Sequence, residues 1–140
     1  MTGSEDYALT ILRKIDVLDR RIERAEYELD YLARAEADLG ALVPGHGINF
    51  PVMRDDMQRI RDESAAEREK IVKAIGIVET SGTRGQRRCG ELLRLRYMEH
   101  NTLEKATELM NISWEHGLHL HVKAKRLFLA ALDEIERSQA

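Results

Sequence analysis

Basic side chains are concentrated in the last third of this 140-residue chain. Residues 84–126 carry nine Lys and Arg against five Asp and Glu, a net charge of +4, whereas residues 1–83 carry 12 against 17, a net charge of −5. Positive charge gathered in one segment can neutralise the phosphates of a nucleic acid. We expect phosphate contacts from Arg94, Arg96, Lys105, Lys123, Lys125 and Arg126. For any one of them, the alternative is a solvated charged face that offsets the acidic remainder.

Three histidines lie close together in the same segment, at His116, His119 and His121. The first two are three residues apart, so they would share a helix face and could share a metal ion. His121 points elsewhere, and no Cys-x-x-Cys or Glu-x-x-His pattern accompanies them. The sequence also has no activated nucleophile, carboxylate pair or Gly-rich phosphate loop. We therefore predict no metal site, no cofactor and no enzymatic activity.

The element that would position these side chains is a helix-turn-helix with an extra helix in front, over residues 92–127. The pattern predicts a helix over 90–99 that ends at the polar His100 and Asn101, and a short helix over 102–110. After a tight turn at 111–113, a long helix starts at Trp114. Such a unit mostly serves to hold one helix against a DNA groove.

The register of this motif can be assigned position by position. Thr107 stands where a small residue must let the two helices approach, and Asn111 stands where a left-handed turn residue is needed. Ser113 is placed to cap the third helix. The inward positions are Ala106, Met110, Ile112, Leu120, Ala124, Leu127 and Ala131. Gly117 also points inward, and we expect it to leave a hole beneath the helix, at a cost of roughly 1 kcal/mol relative to Ala.

The outward positions of the third helix are poor in base-reading side chains. The candidates for facing the bases are Ser113, Trp114, Glu115, Leu118, His119 and Val122. Among them only Glu115, towards cytosine N4, and His119 could hydrogen-bond a base edge. With Leu129 and Leu132, Leu118 and Val122 form a second apolar stripe of the kind that usually contacts a protein surface. Packing against the hairpin, a second subunit or RNA polymerase is therefore the alternative to DNA reading.

The first 32 residues carry a heptad pattern, with apolar side chains at alternating steps of three and four from Ala8 to Leu32. This is the seam of a coiled coil. Residues 40–51 break the helix with three Gly and two Pro, and a weaker stripe from Pro51 towards Thr80 predicts a second helix folded back antiparallel. We predict a homodimer whose oligomerisation seam comprises Ile11, Ile15, Leu18, Ile22, Leu29 and Leu32, with a mere spacer as the alternative.

The composition limits the classes of protein to which this chain can belong. A hydrophobic content of 43% is enough for a core, and 34% charged residues suit a helix-rich, soluble protein. No apolar run approaches the length of a membrane span, and residues 1–6 lack the basic and apolar regions of a signal peptide. Cys89 is the only cysteine, so no internal disulfide can form. We expect a soluble, cytoplasmic protein that does not enter membranes.

The stretch LLRLRYMEHNTLEKATELMNIS at 92–113, followed by His121-Val-Lys-Ala, resembles the ArpU-like regulators encoded by bacteriophages and prophages. Their C-terminal part is similar to the sigma-factor domain that reads the promoter −35 element, and their N-terminal half is typically a charged helical hairpin. The resemblance implies control of phage genes through promoter DNA or host RNA polymerase, in the cytoplasm of a bacterial host cell. Leu103, Ala106, Thr107 and Gly117 depart from the family pattern, which has Trp, Ile, Ala and Val or Ile there.

These observations predict an all-α protein with an antiparallel coiled-coil hairpin at 1–80, a linker at 81–87 and a sigma-like helix-turn-helix unit at 88–140. The predicted function is a phage or prophage transcriptional regulator that binds double-stranded DNA as a homodimer, with host RNA polymerase as a further partner. The alternative is a helical interaction or assembly protein that binds no DNA and uses the same unit for packing.

Overall fold

The computed structural model describes residues 3–42 and 49–139, without the side chains of residues 40–42. These residues form helices and no strand, which confirms the all-α class. The helices are α1 (Gly3–Leu42), α2 (Phe50–Glu79), α3 (Arg84–Leu93), α4 (Leu103–Leu109) and α5 (Trp114–Ser138), and a π-helical turn (Arg94–Met98) continues α3. No described helix is both long and apolar enough to span a membrane.

The chain divides into two compact units, and both divisions fall inside long helices. Unit 1 comprises Met1–Asp16 and Arg68–Ala140, and unit 2 comprises Val17–Glu67. The domain boundary predicted at residue 80 differs from this division. Residues 3–16 and 68–79, at the two ends of the predicted hairpin, belong to unit 1. The predicted linker at 81–87 is also shorter than expected, since α3 already begins at Arg84.

Unit 2 contains the C-terminal part of α1 and the N-terminal part of α2. The Arg54 guanidinium of α2 lies 2.8 Å from the Glu36 carboxylate of α1, and further along α2 Ile60 lines a cavity with Ala25. The contacts therefore run in opposite order along the two segments. The coiled-coil hairpin predicted over the whole of 1–80 stays a prediction, and most of its connection, residues 43–48, lies outside the described residues.

The predicted oligomerisation seam is largely used within a single chain, which corrects that assignment. Ile11 and Ile15 are buried in unit 1, and Leu18 and Leu32 are buried in unit 2. The two remaining members, Ile22 and Leu29, are half-buried. A heptad pattern shows which face of a helix is covered but does not show whether the covering helix belongs to the same chain.

The core of unit 1 is built from α2, α3 and α5 together with the start of α1. Its fully buried side chains include Leu12, Cys89, Leu92, Leu93 and Phe128. At Gly90 the backbone of α3 comes so close to the end of α2 that an added Cβ would lie 2.3 Å from the Cα of Glu79. Glycine is required there, because no backbone atom can move aside without separating the two helices.

Candidate nucleic-acid interface

The turn between α4 and α5 has the backbone geometry that its sequence predicts. Asn111 adopts a left-handed conformation with φ of 58°. The hydroxyl of Ser113 accepts a hydrogen bond of 3.1 Å from the backbone N–H of His116 and so caps α5. Thr102 caps α4 in the same way, accepting from the N–H of Lys105 at 3.1 Å. Both the turn residue and the cap of α5 are thus confirmed.

Gly117 does not leave the hole that we expected beneath α5. A Cβ placed on Gly117 would lie only 2.2 Å from Cγ2 of Thr107 on α4. The space is filled by the Thr107 methyl group, and the Thr107 hydroxyl donates to the carbonyl of Glu104 at 2.7 Å. The two departures from the family pattern therefore compensate each other: a larger residue on α4 faces the smallest one on α5.

The N-terminal half of α5 presents an open face. Trp114, Leu118 and Val122 are exposed at four-residue spacing, so they form one row, and Glu115 and His119 are exposed beside it. All of the side chains that we expected to face bases are accessible, since Ser113 is exposed as well. The hydroxyl of Ser113 accepts the capping bond and still has a hydrogen to donate.

The second apolar stripe predicted along α5 does not stay exposed over its length. Leu132 is buried and Leu129 is half-buried. Only Leu118 and Val122 of this stripe remain on the surface, because the inward face of α5 is buried in both halves but the stripe beside it is covered only in the C-terminal half. The exposed row from Trp114 to Val122 is therefore short, about two and a half turns of helix.

The six expected phosphate contacts fall into three groups. Lys105, Lys123 and Arg126 are exposed. Lys125 is only 4% exposed, so we remove it from the set, because a buried ammonium cannot reach a phosphate without rearrangement of its surroundings. Arg94 and Arg96 are half-buried and engaged within the chain.

Arg94 serves as a tie between helices. Its Nε donates to the Glu79 carboxylate at 2.8 Å, and its Nη1 donates to Glu99. Hydrogen bonding to Glu79 raises the already high pKa of Arg94. Arg96 donates to the carbonyl of Asn101 at 3.1 Å and lies 5.1 Å from the ring centre of Tyr97. Neither guanidinium is placed to bind DNA while these contacts persist.

Two of the exposed cations have close neighbours in unit 1. Arg126 lies 3.4 Å from the buried carboxylate of Glu5, and Lys105 lies 3.7 Å from Glu108. The ammonium of Lys123 lies beside the first turn of α3, 3.6 Å from where a Cβ on Gly85 would be. The Lys105–Glu108 pair is exposed on both sides and therefore weak, so Lys105 can exchange one anionic partner for another, whereas Arg126 is itself exposed but contacts a buried carboxylate.

Sequence reasoning missed Arg84 and Arg87, which were assigned to the linker. Both are exposed on the first turn of α3. Arg87 donates to the carbonyls of Ser81 and Gly82 at 3.3 and 3.1 Å, so Arg84 is the better candidate for an outside anion. The signal for this helix start was present: Thr83 accepts from the N–H of Gln86 at 3.3 Å, in a Thr-x-x-Gln spacing typical of a capping box.

His121 has a structural contact rather than a place on the open face. Its Nε2 lies 2.7 Å from the Tyr97 hydroxyl, and the two rings stack with centres 5.9 Å apart. Burial, helped by the nearby cations of Lys125, Arg96 and Arg13, lowers the pKa of His121 to about 4. Burial likewise raises the pKa of Tyr97 to about 12. Both rings are therefore neutral at pH 7, and their contact joins the π-helical turn to the middle of α5.

The described residues contain no group of three or more His, Cys, Asp or Glu side chains arranged to hold a metal ion. His116 and His119, the pair with metal-ligand spacing, are both exposed on α5. Cys89 is fully buried, its thiol donates weakly to the carbonyl of Leu120 at 3.8 Å, and burial raises its pKa. A buried thiol of raised pKa is a poor nucleophile.

Comparisons of the chain with models of protein families, with curated proteins and with solved structures find no match. The geometry of α4, the turn and α5 is therefore the main basis for a functional assignment.

Proposed function

We propose that this protein binds double-stranded DNA through helix α5 and acts as a regulator of transcription. The observation that carries the proposal is the open face of α5 at Trp114, Glu115, Leu118, His119 and Val122. The opposite face of the helix is buried against α3 and α4. A helix held in this way, directly after a tight turn, can enter a major groove with its first turns.

The side chains of this face suit a particular kind of base contact. Leu118 and Val122 can pack against thymine methyl groups, and the Glu115 carboxylate can accept from cytosine N4. Arginine and lysine, the usual partners of guanine, are absent from the row itself. The proposed target is therefore a site in which one strand presents pyrimidines to α5.

Phosphate contacts would supply most of the affinity. Lys123 and Arg126 flank the row on α5, Lys105 lies on α4, and Arg84 starts α3. Each phosphate neutralised releases a counterion, so the slope of log K against log salt becomes more negative by about 0.9 per contact. The affinity should therefore fall steeply as salt is raised.

Binding of a random-sequence duplex at low salt tests the proposal. We expect retention by the wild type and a weaker, less salt-dependent interaction for Lys123→Glu. Arg137→Glu is the matched control, because Arg137 is an exposed cation in the last turn of the same helix, paired with Asp133 at 2.7 Å. Absence of duplex binding by the wild type at low salt would refute the proposal.

The regulatory part of the proposal draws on the resemblance to ArpU-like phage proteins, which also suggests host RNA polymerase as a partner. Selection from a pool of randomised duplexes, followed by sequencing, would test it. A regulator should enrich a defined motif, and Leu118→Ala and Glu115→Ala should change which bases are enriched. If no motif is enriched, the protein binds DNA without sequence preference at most, and the regulatory part of the proposal is refuted.

A rival function is a helical interaction protein that binds no DNA. The exposed apolar row favours it, because three large apolar side chains at helical spacing can equally dock on another protein. Under this rival, Lys123→Glu would have no effect on partner binding, whereas Leu118→Asp would abolish it. The two functions are therefore distinguished by whether binding is lost when the charge of Lys123 is reversed or when the apolar side chain of Leu118 is replaced.

A further inference from the structure

A groove runs between α1 and α2 within unit 2. It consists of two adjoining cavities of about 370 and 230 Å³, which share Glu28 and Met57 in their lining. Leu32 and Ala25 line it from α1, and both are buried. The lining from Arg21 to Tyr31 corresponds to about 15 Å along α1.

Apolar surface remains uncovered along this groove. Met53 and Ile60 belong to the apolar stripe of α2, yet they are 45% and 37% exposed. Tyr31, at the rim, is 64% exposed. Two helices form a single layer, and a stable domain needs a second layer against its apolar face. The described residues of unit 2 supply no such second layer.

The charges that line the groove are ordered along it. Arg21 and Arg24 line the cavity at one end, and Asp56 lines the cavity at the other. Arg24 lies 3.2 Å from Glu28, and Asp56 lies 3.5 Å from Arg59, but both pairs are exposed and therefore weak. A two-fold axis perpendicular to the groove would place the basic end of one copy opposite the acidic end of the other.

We propose that the groove of unit 2 is a homodimer interface, in which a second copy of the chain inserts its own Tyr31 and Met53. An identical unit has the same uncovered stripe and the same charges in reciprocal order, so one two-fold contact satisfies both copies. Tyrosine, methionine and arginine are the residue types enriched in such interfaces. The proposed interface shares Leu32 with the heptad seam but also includes the exposed Tyr31 and Met53, and it does not depend on DNA binding.

The oligomeric state tests this proposal, by sedimentation equilibrium over a range of protein concentrations. We expect a concentration-dependent dimer for the wild type. Tyr31→Asp and Met53→Asp should each raise the dissociation constant by about thirtyfold, the size of a hot-spot loss. The matched controls are Tyr27→Asp and Val52→Asp, whose residues are 73% and 51% exposed and line neither cavity.

A second experiment remains decisive if a single variant fails to dimerise for another reason. Arg21→Glu and Asp56→Arg should each be monomeric alone, because each places like charges across the two-fold axis. Mixed together, they should form a heterodimer, because both cross-axis pairs then become opposite in sign. Circular dichroism would check that each variant keeps its helix content.

Three results would overturn the proposal. If the wild type stays monomeric at high concentration, a second copy of the chain does not occupy the groove, and its partner belongs to a different class. Controls that weaken the dimer as much as Tyr31→Asp would place the interface elsewhere. Folded single-charge variants that do not associate when mixed would exclude the two-fold arrangement.

Discussion

The two halves of α5 carry leucine side chains in opposite surroundings. In the N-terminal half Leu118 and Val122 are exposed, whereas Leu132, on the same side of the C-terminal half, is buried. Lys123 is exposed and Lys125, two residues on, is buried. Residue type alone therefore does not separate the side chains available for binding from those that build the core. The neighbouring helices do so, and the predictions below test that difference.

The largest effect is expected from a matched pair of leucines. Leu132→Ala should lower the free energy of unfolding by about 2–5 kcal/mol, because it removes a buried side chain from the core. Leu118→Ala should change it by no more than about 0.5 kcal/mol, because that side chain is on the surface. Urea denaturation of both variants measures the difference. Equal losses would mean that Leu118 is also covered in solution.

His121, in the N-terminal half of α5, should make the free energy of unfolding of unit 1 depend on pH. Above its ordinary pKa of 6.5 the residue is neutral whether folded or unfolded. Between pH 6.5 and about 4 the unfolded chain binds a proton that the folded chain does not, so the free energy of unfolding falls as pH falls. The loss is at most about 3 kcal/mol and is complete below the folded pKa.

The matched variant for this prediction is His121→Gln, which can still hydrogen-bond Tyr97 but cannot titrate. The difference in unfolding free energy between wild type and variant, followed by urea denaturation from pH 7.5 downwards, isolates the contribution of His121 from those of the carboxylates. A difference that does not vary with pH would show that His121 is protonated equally in both states.

A smaller effect is expected where α4 meets α5. Gly117→Ala should destabilise the protein by about 1–3 kcal/mol, because the new methyl group overlaps Cγ2 of Thr107. Thr107→Ala in the same chain should recover much of that loss by making room. Thermal unfolding of the two single variants and the double variant gives the coupling. Additive effects would mean that the two residues do not compete for one space.

Local features of the candidate site could be predicted from sequence. Asn111 and Ser113 act through their own backbone or that of the next three residues, so their roles follow from residue type and spacing. The start of α5 at Trp114 is confirmed for the same reason. The exposed row on α5 followed from helical periodicity alone.

Features that depend on distant residues could not be predicted in the same way. Arg126 lies next to Glu5, 121 positions away in sequence, and nothing local to α5 indicates that neighbour. The filling of the space at Gly117 depends on a residue of another helix. The π-helical turn at Arg94–Met98 is also unmarked, because the same apolar spacing suits an ordinary α-helix.

Unit 1 is assembled from two segments that lie far apart in the sequence. Residues 3–16 contribute four buried apolar side chains, Ala8, Ile11, Leu12 and Ile15, to a unit whose remaining core comes after residue 67. During synthesis, residues 3–16 emerge before residues 68–139 and must therefore wait for them before their apolar face is covered. A truncated version that starts at the helix-turn-helix would lack part of its own interior, and such a fragment should aggregate when expressed alone.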